Sequence, residues 1–217
     1  MNDRTEKAAV TGAGRAALAV DRGMMDRREA VEAEIERILT VTLELLSRET
    51  AAVPSVSEIV RAAGISNHTL YRFFPSKNDL IMAVFEKGVQ RAAEWIGAGL
   101  ARESSPRQQV RVWVRGLLHQ VSGRAVARTS RTVIRHLGTV GLPAGAGVED
   151  ALLRPVISLL DEPLCRLGRD PGRDGPYVAD LTLGAMRRYL WTDTAPASED
   201  VERLADFVLR GLEAGVR

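Results

Sequence analysis

Apolar residues along this chain recur at three- and four-residue steps, and nowhere do they alternate over a useful length. That period predicts helices throughout and no β-strand. The first clear stripe is Val31, Ile35, Ile38, Leu39, Leu45 and Leu46, an amphipathic helix from about Arg28 to Arg48. Two short helices follow between Ser55 and Phe73, and a longer one enters at Ser76 and runs to about Leu100, with Leu80, Ile81, Val84, Phe85, Val89 and Trp95 available for burial. A helix after Pro106 carries Val110, Trp113, Val114, Leu117, Leu118 and Val121, and the next, about Arg124 to Val140, carries Val126, Val133, Ile134, Leu137 and Val140. Glu149 to Gly168 is a further apolar helix, expected to bend or split at Pro155 and Pro163. The last two helices are expected at about Tyr177 to Thr192 and Ser198 to Leu212. Residues 49–54, 141–147 and 169–176 read as loops, and residues 1–27, which lack an apolar stripe, as a mobile tail.

The two short helices carry the most local information. Ser55 and Glu58 form a capping box, each side chain satisfying an orphan backbone donor of the other. Gly64 supplies the left-handed residue that ends the first helix, and Ser66 is a good N-cap for the second, Asn67 to Phe73. Pro75 ends that helix, and Ser76 with Asp79 starts the next. Two helices of seven or eight residues around a glycine-led turn have the shape of a helix-turn-helix. Its second helix crowds Asn67, His68, Thr69, Tyr71 and Arg72 into two turns, leaving Leu70 and Phe74 to face inward. Those polar types suit base edges and phosphates better than mere solvation.

The stretch VSEIVRAAGISNHTLYRFFPSKNDL resembles the DNA-binding signature of the TetR family of bacterial regulators, with Ile59, Ala63, Gly64, Ser66, Thr69, Leu70, Tyr71, Phe74, Ser76, Lys77 and Leu80 at matching positions. The resemblance implies an all-α fold. Its N-terminal three-helix DNA-binding domain, about residues 28–75, continues into a helical ligand-binding and dimerisation domain, residues 76–217. It implies a cytoplasmic, homodimeric transcriptional regulator, most often a repressor, released from a palindromic double-stranded DNA operator by a small molecule. Ser66, Tyr71 and Lys77 are implied to hold phosphates. Asn67, His68 and Thr69, at the N-terminal end of the second helix, are expected to reach bases, with Ser55, Ser57 and Arg72 as further backbone candidates. The last two helices, rich in Leu181, Leu183, Met186, Leu190, Leu204, Phe207, Val208 and Leu212, are expected to meet a second copy as a four-helix bundle. A ligand-independent DNA-organising or interaction protein on the same fold is the alternative.

Composition changes this picture in three ways. A single cysteine, Cys165, excludes an internal disulfide and is most simply a small core residue. Neither a membrane-length apolar run nor a signal peptide is visible. His68, His119 and His136 stand at unrelated spacings, and no phosphate loop, dinucleotide fingerprint or nucleophile elbow occurs. No enzymatic activity, cofactor, metal site or membrane association is therefore expected.

Charge adds to these. The net charge is only +2, and Asp26 to Leu80 holds seven basic residues against nine acidic ones, so DNA binding must rest on where charge is placed. No acid occurs between Glu103 and Glu149, where Arg107, Arg111 and Arg115 form one helical stripe and Arg124, Arg128, Arg131 and Arg135 another. A solvated face is one reading; a site for an anionic ligand or acidic partner is the other. By the resemblance the effector pocket lies among the central helices, with Trp95, Trp113, Leu117, Ile134, Leu137, Val156 and Leu160 as its lining. Arg115 or Arg131 would pair there with an anionic group on a mainly hydrophobic compound.

Overall fold

A computed structural model describes the backbone of residues 3–48, 53–140 and 148–214; at 3–16, 124–125, 134–135, 137–140 and 148–150 it describes the backbone alone. Among these residues every regular element is helical: α1 (Asp3–Leu46), α2 (Val56–Ala63), α3 (Asn67–Phe73), α4 (Lys77–Leu100), α5 (Pro106–His119), α6 (Arg124–Val140), α7 (Val148–Ile157), α8 (Asp161–Arg166), α9 (Pro171–Thr192) and α10 (Ser198–Ala214). No described helix is long and apolar enough to cross a membrane. Most of the residues expected to form loops at 49–54 and 141–147 lie outside the described ones.

Two apolar clusters organise the helices. The first gathers Ile38, Leu39, Leu45 and Leu46 of α1, Ile59 and Ala63 of α2, Leu70 of α3, Phe74, and Leu80, Ile81 and Val84 from the start of α4. Val133 of α6 also enters it. The second gathers the rest of α4 with α5, α7, α8, α9 and α10, centred on Trp113, which is fully buried. Trp113 donates its indole N–H to the Val156 carbonyl at 2.8 Å, where α7 gives way to a 3₁₀ turn at Ser158–Leu160. Phe85 of α4 packs against both clusters. A fully buried Leu or Ile contributes about 1.5–3 kcal/mol. With only Leu70 buried, α3 therefore owes its position to its neighbours.

Four expectations are corrected. The stretch expected as a tail is helical from Asp3 on and continuous with the bracing helix. It holds no proline, six alanines and four arginines, both strong helix formers. Without an apolar stripe, periodicity could not reveal it, and every side chain from residue 17 to 33 is exposed. The loop expected at 169–176 largely forms the first turns of α9. Asp170 caps it by accepting from the Gly172 N–H at 2.9 Å, Pro171 stands at the first position, and Arg169 pairs with Asp174 at 3.0 Å. The third concerns Cys165, which is exposed rather than in the core. Trp95 is the fourth: 55 % exposed, it lies against His119 with ring centroids 5.0 Å apart.

The first arginine stripe meets acids of the chain's own C-terminal helix. Arg107 pairs with Glu213, Arg111 with Glu202 (3.0 Å) and Asp206 (2.5 Å), and Arg115 with both oxygens of Glu202 (2.5 and 2.7 Å). The arginine-rich face of α5 is thus a ladder that fixes α10 along it.

Helices α4 and α5 cross closely at Gly116. A Cβ built there would stand 2.6 Å from Ile96 Cγ1 and 3.2 Å from Trp95 Cζ3. Ile96 is fully buried and has nowhere to go. Gly116→Ala should therefore force the two helices apart and lower the unfolding free energy by about 1–3 kcal/mol, despite alanine's better helix propensity. Urea unfolding of the two proteins measures the difference, and equal midpoints would refute the tight crossing.

Candidate nucleic-acid interface and effector cavity

Capping chemistry sets the helix-turn-helix. Ser55 Oγ accepts from the Glu58 N–H at 3.3 Å, while a Glu58 oxygen accepts from the Ser55 N–H and hydroxyl, both at 2.7 Å. These bonds hold the Glu58 carboxyl below the usual range. Gly64 adopts the left-handed conformation (φ 66°), and the Ile65 N–H closes the turn on the Val60 carbonyl at 3.0 Å. Ser66 Oγ then accepts from the Thr69 N–H at 3.0 Å and opens α3. Leu70 and Phe74 point into the first cluster, so the opposite side of α3 faces outward by helical geometry.

On that outward side Asn67, His68, Tyr71 and Arg72 are exposed and Thr69 is half-buried. Thr69 Oγ1 lies 3.0 Å from Ser66 Oγ, so these two hydroxyls are within hydrogen-bond reach of each other. Tyr71 is 47 % exposed although large and apolar in body, an orientation that leaves its hydroxyl available to a partner. Ser57 is exposed on α2, and Ser55 is exposed but engaged with Glu58. Arg72 has a different attachment from the backbone contact expected of it. Its guanidinium pairs with Glu34 of α1 at 3.2 Å and lies over the Phe73 ring at 4.5 Å, which ties α3 to its brace.

Lys77 is the first residue of α4, whose N-terminus is closed by a second capping box. The Asp79 N–H donates to Ser76 Oγ at 3.2 Å and the Ser76 N–H to Asp79 Oδ2 at 2.9 Å. Partial burial holds the Lys77 ammonium below its ordinary value, with the Glu58 charge working against that shift. Anions are favoured at such a helix end by its dipole and free N–H groups. The next residue, Asn78, lies 2.9 Å through Oδ1 from Nε2 of His136 on α6, a contact that no sequence signal announced. Burial, and secondarily the Lys77 charge, hold the His136 imidazolium below the usual histidine range.

A cavity of about 580 Å³ lies among α1, α4, α5, α6, α7 and α9. Three residues expected to line an effector pocket do so: Trp95, Leu117 and Val156. Trp113 and Leu160 are fully buried in the second cluster and do not line it. The side chains of Ile134 and Leu137 lie outside the described ones. The wall otherwise consists largely of Val84, Phe85, Val89, Ala92, Val133, Leu153, Leu183 and Met186, with Glu44, Arg91, His119 and Gln120 among its polar members. Sequence periodicity marked many of these as apolar but could not tell cavity wall from core.

Neither arginine expected at the pocket mouth is there. Arg115 is held by Glu202. Arg131 donates to the Leu190 carbonyl at 3.0 Å and pairs with Asp193 at 2.6 Å, closing the C-terminal end of α9. Arg128, on the same stripe, donates to the Ser47 carbonyl at 3.3 Å at the end of α1. Cations belong at such carbonyl-rich ends. Among the described residues no three potential metal ligands come together.

Residues 38–84 match the model of the bacterial regulatory proteins of the tetR family, which covers α2, α3, the end of α1 and the start of α4. A nucleoid occlusion factor SlmA from Haemophilus ducreyi is 30 % identical over 79 residues, 36 % of this chain and 39 % of that protein. The regulator EthR of Mycolicibacterium smegmatis is 31 % identical over 96 residues, 44 % and 43 % of the two chains. The chain thus spans about two fifths of the length of the curated relatives it matches. The crystal structure of the regulator FadR from Bacillus subtilis with stearoyl-CoA superposes with a TM-score of 0.61, covering 84 % of this chain and 99 % of that one at 15 % identity. The helix-turn-helix and the end of its brace thus match the DNA-binding region of the tetR family, and 84 % of the chain shares the fold of that regulator.

Two outcomes test this geometry. Against a duplex selected by the protein from a random library, Asn67→Ala should cost about 1–3 kcal/mol and relax preference at one base, whereas Lys77→Ala should weaken all sequences alike and flatten the salt slope by about one unit. Unchanged affinity in a Tyr71→Ala, Lys77→Ala double variant would remove the assignment. The second outcome concerns pH. Since His136 is held below its ordinary value of about 6.5, folding favours its neutral form. Its contribution is complete above that pH and is lost as pH falls from there through the lowered folded value. Thermal unfolding from pH 7.5 to 5 should fall more steeply for the parent than for His136→Gln, and parallel curves would contradict it.

Proposed function

We propose that this chain is a homodimeric, sequence-specific transcriptional regulator that leaves a palindromic operator when a small, mainly hydrophobic effector enters the cavity. The observation that carries the DNA-binding part is α3 itself. Its polar N-terminal residues stand exposed on a helix whose start, end and inward face are all fixed by other contacts. A pre-set reading head of this kind loses little entropy on docking into a major groove. One head offers little surface for selective binding, so two related by a dyad are expected on a palindrome.

Of the residues expected to meet a second copy, Leu183, Leu190, Val208 and Leu212 are buried in this chain's own core, Met186 and Leu204 pack against it, and Leu181 and Phe207 are exposed; other residues of α9 and α10 extend that pair. Tyr177, Leu181, Gly184 and Trp191 fall on one face of α9 at steps of four, three and seven, and all are exposed, Trp191 at 93 %. On α10, Phe207 (57 % exposed) and Gly211 are four apart. Nothing lies within 4 Å of a Cβ built at Gly184 or Gly211, so a helix from a second copy can approach there closely. Large exposed aromatics on one face are uncommon on a monomer's free surface.

The effector part rests on the cavity's apolar wall rather than on the arginine stripes, whose described members Arg107, Arg111, Arg115, Arg128 and Arg131 have partners elsewhere. Similarity to the nucleoid occlusion factor keeps open a DNA-organising role without an effector. That similarity spans only about two fifths of that protein. The cavity favours the effector reading, because a largely apolar space of this size with a few polar groups is the usual form of a small-molecule site.

Phe207→Arg or Leu181→Arg should give a folded monomer by sedimentation at micromolar concentration. Operator affinity should fall by about 10²-fold or more, through loss of the paired heads. A monomeric parent with full operator affinity would refute the dimer. Scattered binding that no hydrophobic compound relieves would favour the DNA-organising role.

A further inference from the structure

The last turn of α1 has contacts that the reading above does not use. Leu43, Glu44 and Ser47 belong to the DNA-binding end of the chain, yet all three line the cavity. The Ser47 carbonyl, at the exhausted end of the helix ladder, receives Arg128 of α6. Helix α6 in turn gives Thr129, Ser130 and Val133 to the cavity, and Val133, 2 % exposed, is at the same time a member of the first apolar cluster. The cavity is therefore a space at the junction of the two cores, not one enclosed by the second core alone.

We propose that the effector site extends into the DNA-binding domain: the last turn of α1 is part of the binding surface, and a bound molecule competes with the Arg128 contact that joins α6 to α1. The inference rests on the effector reading of the cavity. An apolar molecule lodged among Leu43, Val126 and Val133 gains most by touching α1 and α6 together, and the space it needs is set by how close those helices stand. In the DNA-competent arrangement Arg128 holds them together. A ligand that fits better with the helices parted shifts the balance by the difference between its two affinities and by nothing else. The path to the DNA is then short. Leu45 and Leu46 of the same turn pack in one cluster with Ile59, Ala63 and Leu70, and Glu34 of the same helix holds Arg72 of α3. A shift of α1 moves the recognition helix directly, alongside whatever α4 transmits.

The experiment uses the whole chain, a selected operator duplex and N-phenyl-1-naphthylamine, a neutral probe that brightens in apolar surroundings. Glu44 is exposed, so Glu44→Trp narrows the α1 side without disturbing a core; Leu153→Trp narrows the α7 side as a comparison. Circular dichroism and thermal unfolding report that each variant is folded. Glu44→Trp is expected to weaken the probe by about tenfold, as a changed contact in an apolar pocket does. Arg128→Ala is expected to tighten the probe and weaken the operator, shifting the ratio of the two affinities by about fivefold or more, as a displaced balance between joined and parted helices requires. A merely structural role for Arg128 would weaken both or neither, and either result overturns the competition. If Glu44→Trp binds the probe like the parent while Leu153→Trp does not, the cavity takes ligands but α1 is not part of their site. If the parent takes up no probe at all, the effector reading falls and this inference with it.

Discussion

Helix α4 has to satisfy two cores at once, and the rest of the molecule is arranged around that demand. Leu80, Ile81 and Val84 are buried with the helix-turn-helix, while Val89, Ala92, Ala93, Ile96 and Leu100 are buried in the second cluster. No proline interrupts the 24 residues between its Ser76 cap and Leu100. A helix of that length spans about 36 Å and resists bending, because bending breaks ladder hydrogen bonds. With both ends buried, neither can shift without repacking the other. The change of cores falls at Phe85 to Val89, and Val84, Phe85, Gly88 and Val89 are also cavity wall. The place where the helix passes from one core to the other is thus the place where a molecule could lean on it.

The reading head shows the opposite economy. Helix α3 has seven residues and one buried side chain, too little to form alone. It is held by a serine cap at one end, by the left-handed turn at Gly64 before it, and by Leu70 and Phe74 beneath it. The Arg72–Glu34 pair adds a tether to α1. Because Leu70 and Phe74 take the inward face, Asn67, His68 and Tyr71 stand exposed, and their polar character suits recognition.

Arginine, abundant in this sequence, is mostly answered from within the chain. The α5 stripe runs against Glu202, Asp206 and Glu213 of α10, and two arginines of α6 close the carbonyl ends of α1 and α9. Exposed pairs contribute little individually, about 0–1 kcal/mol. Their effect is orientational: the ladder turns one face of α10 toward α5 and leaves Phe207 on another. The surface proposed to meet a second copy is in this sense a consequence of where the acids of α10 fall.

The sequence by itself determined the helical class, the limits of α2, α3 and α4, and the inward residues of the reading head. Those depend on contacts within a few residues: Ser55 with Glu58, Gly64 alone, Ser66 with Thr69, Ser76 with Asp79. It failed on the first half of α1, where the described side chains are exposed and no periodic trace is left, and on the start of α9, where Asp170 and Pro171 turn apparent loop residues into a first turn. Only the tertiary structure decided that Trp113 is core while Trp95 lines a cavity, since both sit on apolar stripes. It also decided the partners of Arg111 and Arg115, which lie 95 and 87 residues away along the chain. Periodicity tells which face of a helix is apolar; it does not tell which other helix that face will meet, and the cavity and the charge partners depend on that meeting.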